Sequence, residues 1–174
     1  GSAIYHSADN GATWQKLSPQ GLPADMGRIG VAVTDTASGP RLYAIVSAGS
    51  AHPAGEGSNQ LGPGSGVYRS DDVGKSWHLI DGDPRLAGRG WYFGRIYADA
   101  KNPDLVYIPN TSLYRSRDGG AHFESIKGSP NGDDMHELWL DAGDAEHLVL
   151  VSDQGASISL DDGAHWSSWF NQPT

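Results

Sequence analysis

Ser116-Arg117-Asp118-Gly119-Gly120-Ala121-His122-Phe123 is one of four copies of a single pattern: Ser, any residue, Asp, any residue, Gly, any residue, a small or polar seventh residue, and an aromatic. The others are Ser7-Ala8-Asp9-Asn10-Gly11-Ala12-Thr13-Trp14, Ser70-Asp71-Asp72-Val73-Gly74-Lys75-Ser76-Trp77 and Ser159-Leu160-Asp161-Asp162-Gly163-Ala164-His165-Trp166. An Asp carboxylate accepts backbone N–H groups a few residues on, and Gly takes a positive φ, so each copy predicts a tight turn between two strands. Asp9, Asp72, Asp118 and Asp161 are the structural carboxylates of these turns. Trp14, Trp77, Phe123 and Trp166 are expected to anchor them. Three residues past each aromatic stands an apolar side chain, Leu17, Ile80, Ile126 or Trp169, as expected where a strand returns one face to a core.

The four aspartates are 63, 46 and 43 residues apart. An insertion at residues 48–66 accounts for most of the longer first interval. A period of 43 to 46 residues holding four short strands is that of a propeller blade. The expected fold is all-β: a partial β-propeller of about three and a half four-stranded blades, with a ring of seven blades implied by the family resemblance set out below. Its parts are an outer half-blade at 1–19, a blade at 28–81 carrying the insertion, and blades at 94–127 and 136–170. That predicts fourteen strands, including one at 95–98 and a last one ending near Trp169.

Composition agrees with a turn-rich β protein: 24 Gly, 10 Pro and 6 Trp in 174 residues. Twelve Lys and Arg against 21 Asp and Glu give a net charge of −9. That balance supplies no electrostatic footprint for nucleic acid or an anionic membrane, and no apolar run reaches the ~18 residues of a spanning helix. With no cysteine, disulfides and thiolate metal sites are excluded, and no cofactor or metal is expected. An export signal could precede Gly1-Ser2.

The four copies resemble the Asp-box, or bacterial neuraminidase repeat, of sialidases, sortilin-like receptors and family 74 glycoside hydrolases. Gly90-Trp91-Tyr92-Phe93-Gly94-Arg95, Asp133-Asp134-Met135-His136-Glu137-Leu138-Trp139 and Asn171-Gln172-Pro173-Thr174 are further similar to bacterial repeat-containing glycosyl hydrolases of the xyloglucanase-like type. The resemblance implies a piece of a longer parent that binds or hydrolyses a polysaccharide. A non-catalytic propeller binding glycan or protein, in the manner of sortilin, is the alternative. It also implies a periplasmic or extracellular location, and edges that pair with further blades of a parent or with a second copy.

Because the boxes join strands three and four, the loops between strands two and three, and between blades, lie on the opposite face, where such folds bind ligands. Asp133, Asp134 and Glu137, with Asp153 in a neighbouring loop, are candidate acids and bases, since glycoside hydrolysis uses two carboxylates flanking one bond. The run Asn131-Gly132-Asp133 is equally ordinary turn chemistry. Arg85, Arg89, Trp91, Tyr92 and His136 are candidate ligand-binding residues, aromatic faces stacking on sugar rings and arginines holding hydroxyls or carboxylates. Packing of the Trp-Tyr-Phe run into the core is the alternative there. His52 and Glu56 in the insertion are weaker candidates. Asp71-Asp72 and Asp161-Asp162 look like calcium ligands but lack the alternating oxygens of a calcium loop. Asn110-Thr111-Ser112 matches a glycosylation sequon and reads as a turn.

Overall fold

The structure, a computed structural model, describes residues 2–17, 20–49, 61–90 and 92–170. Strands β1 (Tyr5–His6) and β2 (Gln15–Lys16) form a two-stranded antiparallel ribbon around the first box. Strands β3 (Met26–Thr36), β4 (Gly39–Ala48), β5 (Gly66–Ser70) and β6 (His78–Asp81) make a four-stranded antiparallel meander. After a one-turn helix α1 (Pro84–Ala87), a second meander follows from β7 (Tyr97–Ala98), β8 (Val106–Pro109), β9 (Leu113–Ser116) and β10 (Glu124–Lys127). The last sheet has three strands, β11 (Met135–Leu140), β12 (Leu148–Ser152) and β13 (Gly155–Ser159).

Side-chain alternation along the second strand of each meander stacks these sheets face to face. Leu42, Ala44 and Val46 pack toward the ribbon with Ile4, Tyr68 and Trp77. Tyr43 and Ile45 face the other way, meeting Ile96, Val106 and Ile108 of the next sheet. Leu105 and Tyr107 then face Leu138, Leu148 and Leu150 of the last one. Strands buried on both faces read as the near-continuous apolar runs seen at 42–46 and 105–108. On the last sheet the outer face stays open, with Trp139, Val151 and Ile158 exposed.

Each box is built by one set of bonds. The Ser hydroxyl donates to Asp Oδ1, at 2.8 Å in Ser7–Asp9, Ser70–Asp72 and Ser116–Asp118 and 2.9 Å in Ser159–Asp161. The same hydroxyl accepts the N–H of the box glycine, Gly11, Gly74, Gly120 or Gly163. Asp Oδ1 accepts the amide of the seventh residue, and Asp Oδ2 takes its side chain: Thr13 Oγ1 and Ser76 Oγ at 2.6 Å, His122 Nδ1 at 2.7 Å and His165 Nδ1 at 2.6 Å. The seventh residue is thus a clamp on the carboxylate, where the sequence suggested only something small or polar. These donors lower the carboxyls of Asp9, chiefly through the Thr13 side chain, Asp118, chiefly through the His122 ring, and Asp161, chiefly through the His165 amide, each to about 2. Asp72 is lowered too, first by the Ser76 hydroxyl. The boxes are closed hydrogen-bond rings, and among the described residues no group of three or more His, Asp or Glu is arranged to hold a metal.

Three expectations need correction. Among the described residues the sheets hold thirteen strands, because residues 166–169 do not continue the last sheet: Ser167 N–H does reach Ile158 O at 2.8 Å, but the Ile158 amide is taken by the Ser167 hydroxyl at 2.9 Å rather than by a backbone carbonyl. The strand expected at 95–98 is limited to Tyr97–Ala98. The box aromatics do not all anchor by burial either. Trp77 is buried, whereas Trp14 is 63% exposed and holds its turn through an indole N–H donated to Gly11 O at 3.1 Å.

Candidate functional site

The candidate loops meet around the start of β11. A β-bulge interrupts the β11–β12 register between Met135, opposite Ser152, and Glu137, opposite Val151, leaving His136 as the extra residue. Bulges re-aim side chains, and His136 is turned to place Nε2 2.5 Å from Asp153 Oδ1. Its ring packs edge-on against Tyr92, centroids 5.2 Å apart, and tilted against Phe93 at 5.9 Å. Phe93 is buried; Tyr92 is 43% exposed.

Tyr92 is held by a turn in which its own N–H and that of Phe93 both donate to Arg89 O, at 2.8 and 2.9 Å. Arg89 has φ of 51° and Asp134 φ of 49°, and their side chains form an ion pair at 3.1 Å. Two non-glycine residues held in left-handed conformations and bonded to each other mark a place where the fold carries local strain. Arg28, at a second bulge at the start of β3, donates to Tyr92 O at 3.2 Å. Inner-strand starts of two sheets therefore bracket the same tyrosine.

The remaining carboxylates are occupied in the same way. Glu137 accepts the Tyr97 hydroxyl and pairs with Arg95 at 2.8 Å. The Tyr97 phenol is raised, first by burial and then by that carboxylate. Asp133 accepts Gln154 Nε2 at 2.7 Å and returns its own N–H to Gln154 Oε1 at 3.2 Å. The structure thus brings together Arg89, Tyr92, Asp134, His136 and Asp153, and places Asp133 and Glu137 at the edges of the same loop group. Arg85 is not part of it: it lies within α1, its guanidinium paired with the N-cap residue Asp83 at 2.5 Å and set over the Tyr114 ring at 5.8 Å. Trp91, His52 and Glu56 lie outside the described residues, as do residues 171–174.

Sequence reasoning missed Arg28, Arg95, Tyr97 and Asn110. Asn110 is buried, its Nδ2 donating to Leu86 O at 3.0 Å and Gly88 O at 2.9 Å, while its backbone carbonyl accepts the Met135 amide at 2.7 Å. It ties α1 to the bulged strand, and a buried, doubly bonded amide is no glycosylation acceptor. Its place in a turn signature hid that role.

The family profile for the BNR/Asp-box repeat matches residues 5–16. An oligoxyloglucan-reducing end-specific xyloglucanase of Emericella nidulans is 36% identical over 115 residues, 56% of this chain and 13% of that protein. The xyloglucanase Xgh74A of Acetivibrio thermocellus is 28% identical over 153 residues, 75% of this chain and 17% of that protein. The chain therefore spans less than a fifth of the length of these relatives. Among solved structures, the GH74 xyloglucanase of Xanthomonas campestris superposes with a TM-score of 0.66 at 20% identity, over 97% of this chain and 27% of that one. YCF48 of Cyanidioschyzon merolae matches with a TM-score of 0.52 at 14% identity, over 95% of this chain and 48% of that one. By repeat, sequence and fold, the chain is a partial Asp-box β-propeller that resembles the family 74 xyloglucanases.

Proposed function

We propose that this chain supplies part of the polysaccharide-binding face of a glycosyl hydrolase-like propeller, acting on a xyloglucan-type glucan. Its units at 1–19, 28–81, 94–127 and 136–170 are an outer half-blade and three blades of one seven-bladed ring, completed by further blades of a parent chain; self-association through the open sheet edges is the alternative, and it would leave both outer half-blades without inner strands. The observation that carries this is the Tyr92–His136–Asp153 array. An exposed phenol ring backed by an imidazole offers a sugar-stacking surface, and Asp153, Asp134 and Arg89 surround it with groups suited to sugar hydroxyls. Overall negative charge favours a neutral glycan over a polyanion.

Within this chain the face binds rather than cleaves. Glycosidase chemistry needs one carboxyl kept protonated by an apolar or like-charged setting, yet Asp134, Glu137 and Asp153 each already hold an arginine or histidine, and Asp133 an amide. Hydrolysis in the parent then takes at least one carboxylate from outside these residues, and the parent works in the periplasm or outside the cell, where its polymer is found. Xyloglucan-derived, cellulose-derived and sialylated oligosaccharides titrated against wild type and Tyr92→Ala, with released reducing sugar measured in parallel, test both parts. Binding of the neutral glucans that weakens in Tyr92→Ala, without release, is expected. Reducing sugar released by wild type and lost in Glu137→Gln would restore Glu137 as catalytic.

A further inference from the structure

On the outer rim, between β10 and the segment after the fourth box, Lys127 extends over two tryptophans, its Nζ 5.4 Å from the Trp166 ring centroid and 4.9 Å from that of Trp169. Trp169 and Phe170 continue the aromatic surface, with centroids 5.4 Å apart and planes tilted by 32°, and Phe170 is 83% exposed. These side chains line a groove of about 640 Å³. Ser112 and Ser129 also line it. Trp169 occupies the position held by Leu17, Ile80 and Ile126 in the earlier repeats, yet where those lie against the box glycines, it lies against Lys127 and Gly132.

Among the described residues no carboxylate and no hydrogen-bond acceptor takes the Lys127 ammonium, and neither serine hydroxyl has a partner. Burial pulls the Lys127 amine below its ordinary range, a cost that an acceptor oxygen from a ligand would offset. Two ring faces with ammonium and hydroxyl donors at their edge fit a molecule with a flat C–H face and many acceptor oxygens around its rim. A pyranose has both. A proline-rich peptide would use the rings but offers few acceptors to the donors on the wall.

We propose that this groove is a second saccharide-binding site, separate from the Tyr92 loop group, in which a sugar ring of an oligosaccharide lies on Trp169 and Phe170 and gives a ring or hydroxyl oxygen to Lys127. A neutral glucan and a uronate-containing glycan share this chemistry, the second adding a carboxylate for the lysine.

The test is calorimetric titration of the 174-residue chain carrying Tyr92→Ala, which weakens the loop site, with cellohexaose, a xyloglucan heptasaccharide and hexagalacturonate, and with a proline-rich decapeptide. Residual binding of at least one oligosaccharide is expected, weakened about tenfold or more by adding Trp169→Ala or Lys127→Gln and largely kept by Trp169→Phe. Preference for the galacturonate over the neutral sugars would assign Lys127 a carboxylate. Melting curves accompany each variant, and Lys127→Gln decides the matter where Trp169→Ala does not fold. Residual binding unchanged by Lys127→Gln and Trp169→Ala would overturn the proposal. So would binding of the decapeptide in place of the sugars. Glucan binding by wild type that vanishes entirely in Tyr92→Ala would remove the rim site while leaving the loop site standing.

Discussion

Ile80, the apolar residue three past the second box aromatic, fills the space where Gly120 of the third box lacks a side chain: a Cβ on Gly120 would overlap Ile80 Cδ1. The same lock recurs at neighbouring joints, Leu17 lying 2.6 Å from the corresponding point on Gly74 and Ile126 2.8 Å from that on Gly163. The motif glycine therefore serves two needs at once, a left-handed turn and a socket for the preceding sheet. Gly120→Ala should cost about 2–4 kcal/mol, combining overpacking with strain at φ of 90°. Gly11→Ala, whose added carbon would meet only its own Trp14 at 3.8 Å, should cost about 1 kcal/mol from strain alone. Denaturant unfolding of both variants measures the difference, and equal losses would show that the socket contributes nothing.

A second expectation concerns acid stability. Asp118 titrates near 2 in the fold against about 3.9 in an unfolded chain. Its contribution is complete above pH ~4 and disappears as pH falls through about 2. His122 runs the other way, raised first by its bond to Asp118. The stability it adds is present below an unfolded value of about 6.5 and is lost as pH rises through its higher folded value. The pair should therefore stabilise most between pH ~4 and ~6.5. Thermal melts from pH 2 to 9 should show this window in wild type and a flatter profile in Asp118→Ala, which should also lose about 1 kcal/mol at this exposed site.

Val73 offers a stabilising change. It is a β-branched residue at φ of 62° in the second box, where the other copies have Asn10, Gly119 and Asp162. Its side chain is exposed, so little packing would be lost. Val73→Asn should raise stability by about 0.5–1 kcal/mol, read from the denaturation midpoint.

Local chemistry made much of this visible in the sequence. The box spells out a turn with hardly any help from distant residues, so strand Leu113–Ser116 falls where the motif puts it. The loop group was legible only as a list. That Asp153 would meet His136 follows from a bulge, and a bulge is one extra residue in a ladder whose register sequence does not display. Tyr97 and Arg95 gave no signal because their partner, Glu137, lies in the next sheet. The last outer strand failed for an equally local reason: a serine hydroxyl at 167 competes with the backbone for the Ile158 amide. Trp169 was expected to face a core and instead covers a lysine, a choice set by tertiary contacts alone.

The division of labour between the two ends of the sheets is tested most directly by measuring the affinity of a xyloglucan heptasaccharide for three proteins, each carrying Trp169→Ala so that the rim groove does not contribute: the parent, Tyr92→Ala and Asp118→Ala. Tyr92→Ala should weaken binding about tenfold or more at an unchanged melting temperature, while Asp118→Ala should melt earlier and bind as the parent does. Undiminished binding by Tyr92→Ala, or binding abolished in Asp118→Ala with its melting temperature intact, would contradict the assignment of ligand recognition to the Tyr92–His136–Asp153 loops and of the boxes to structure.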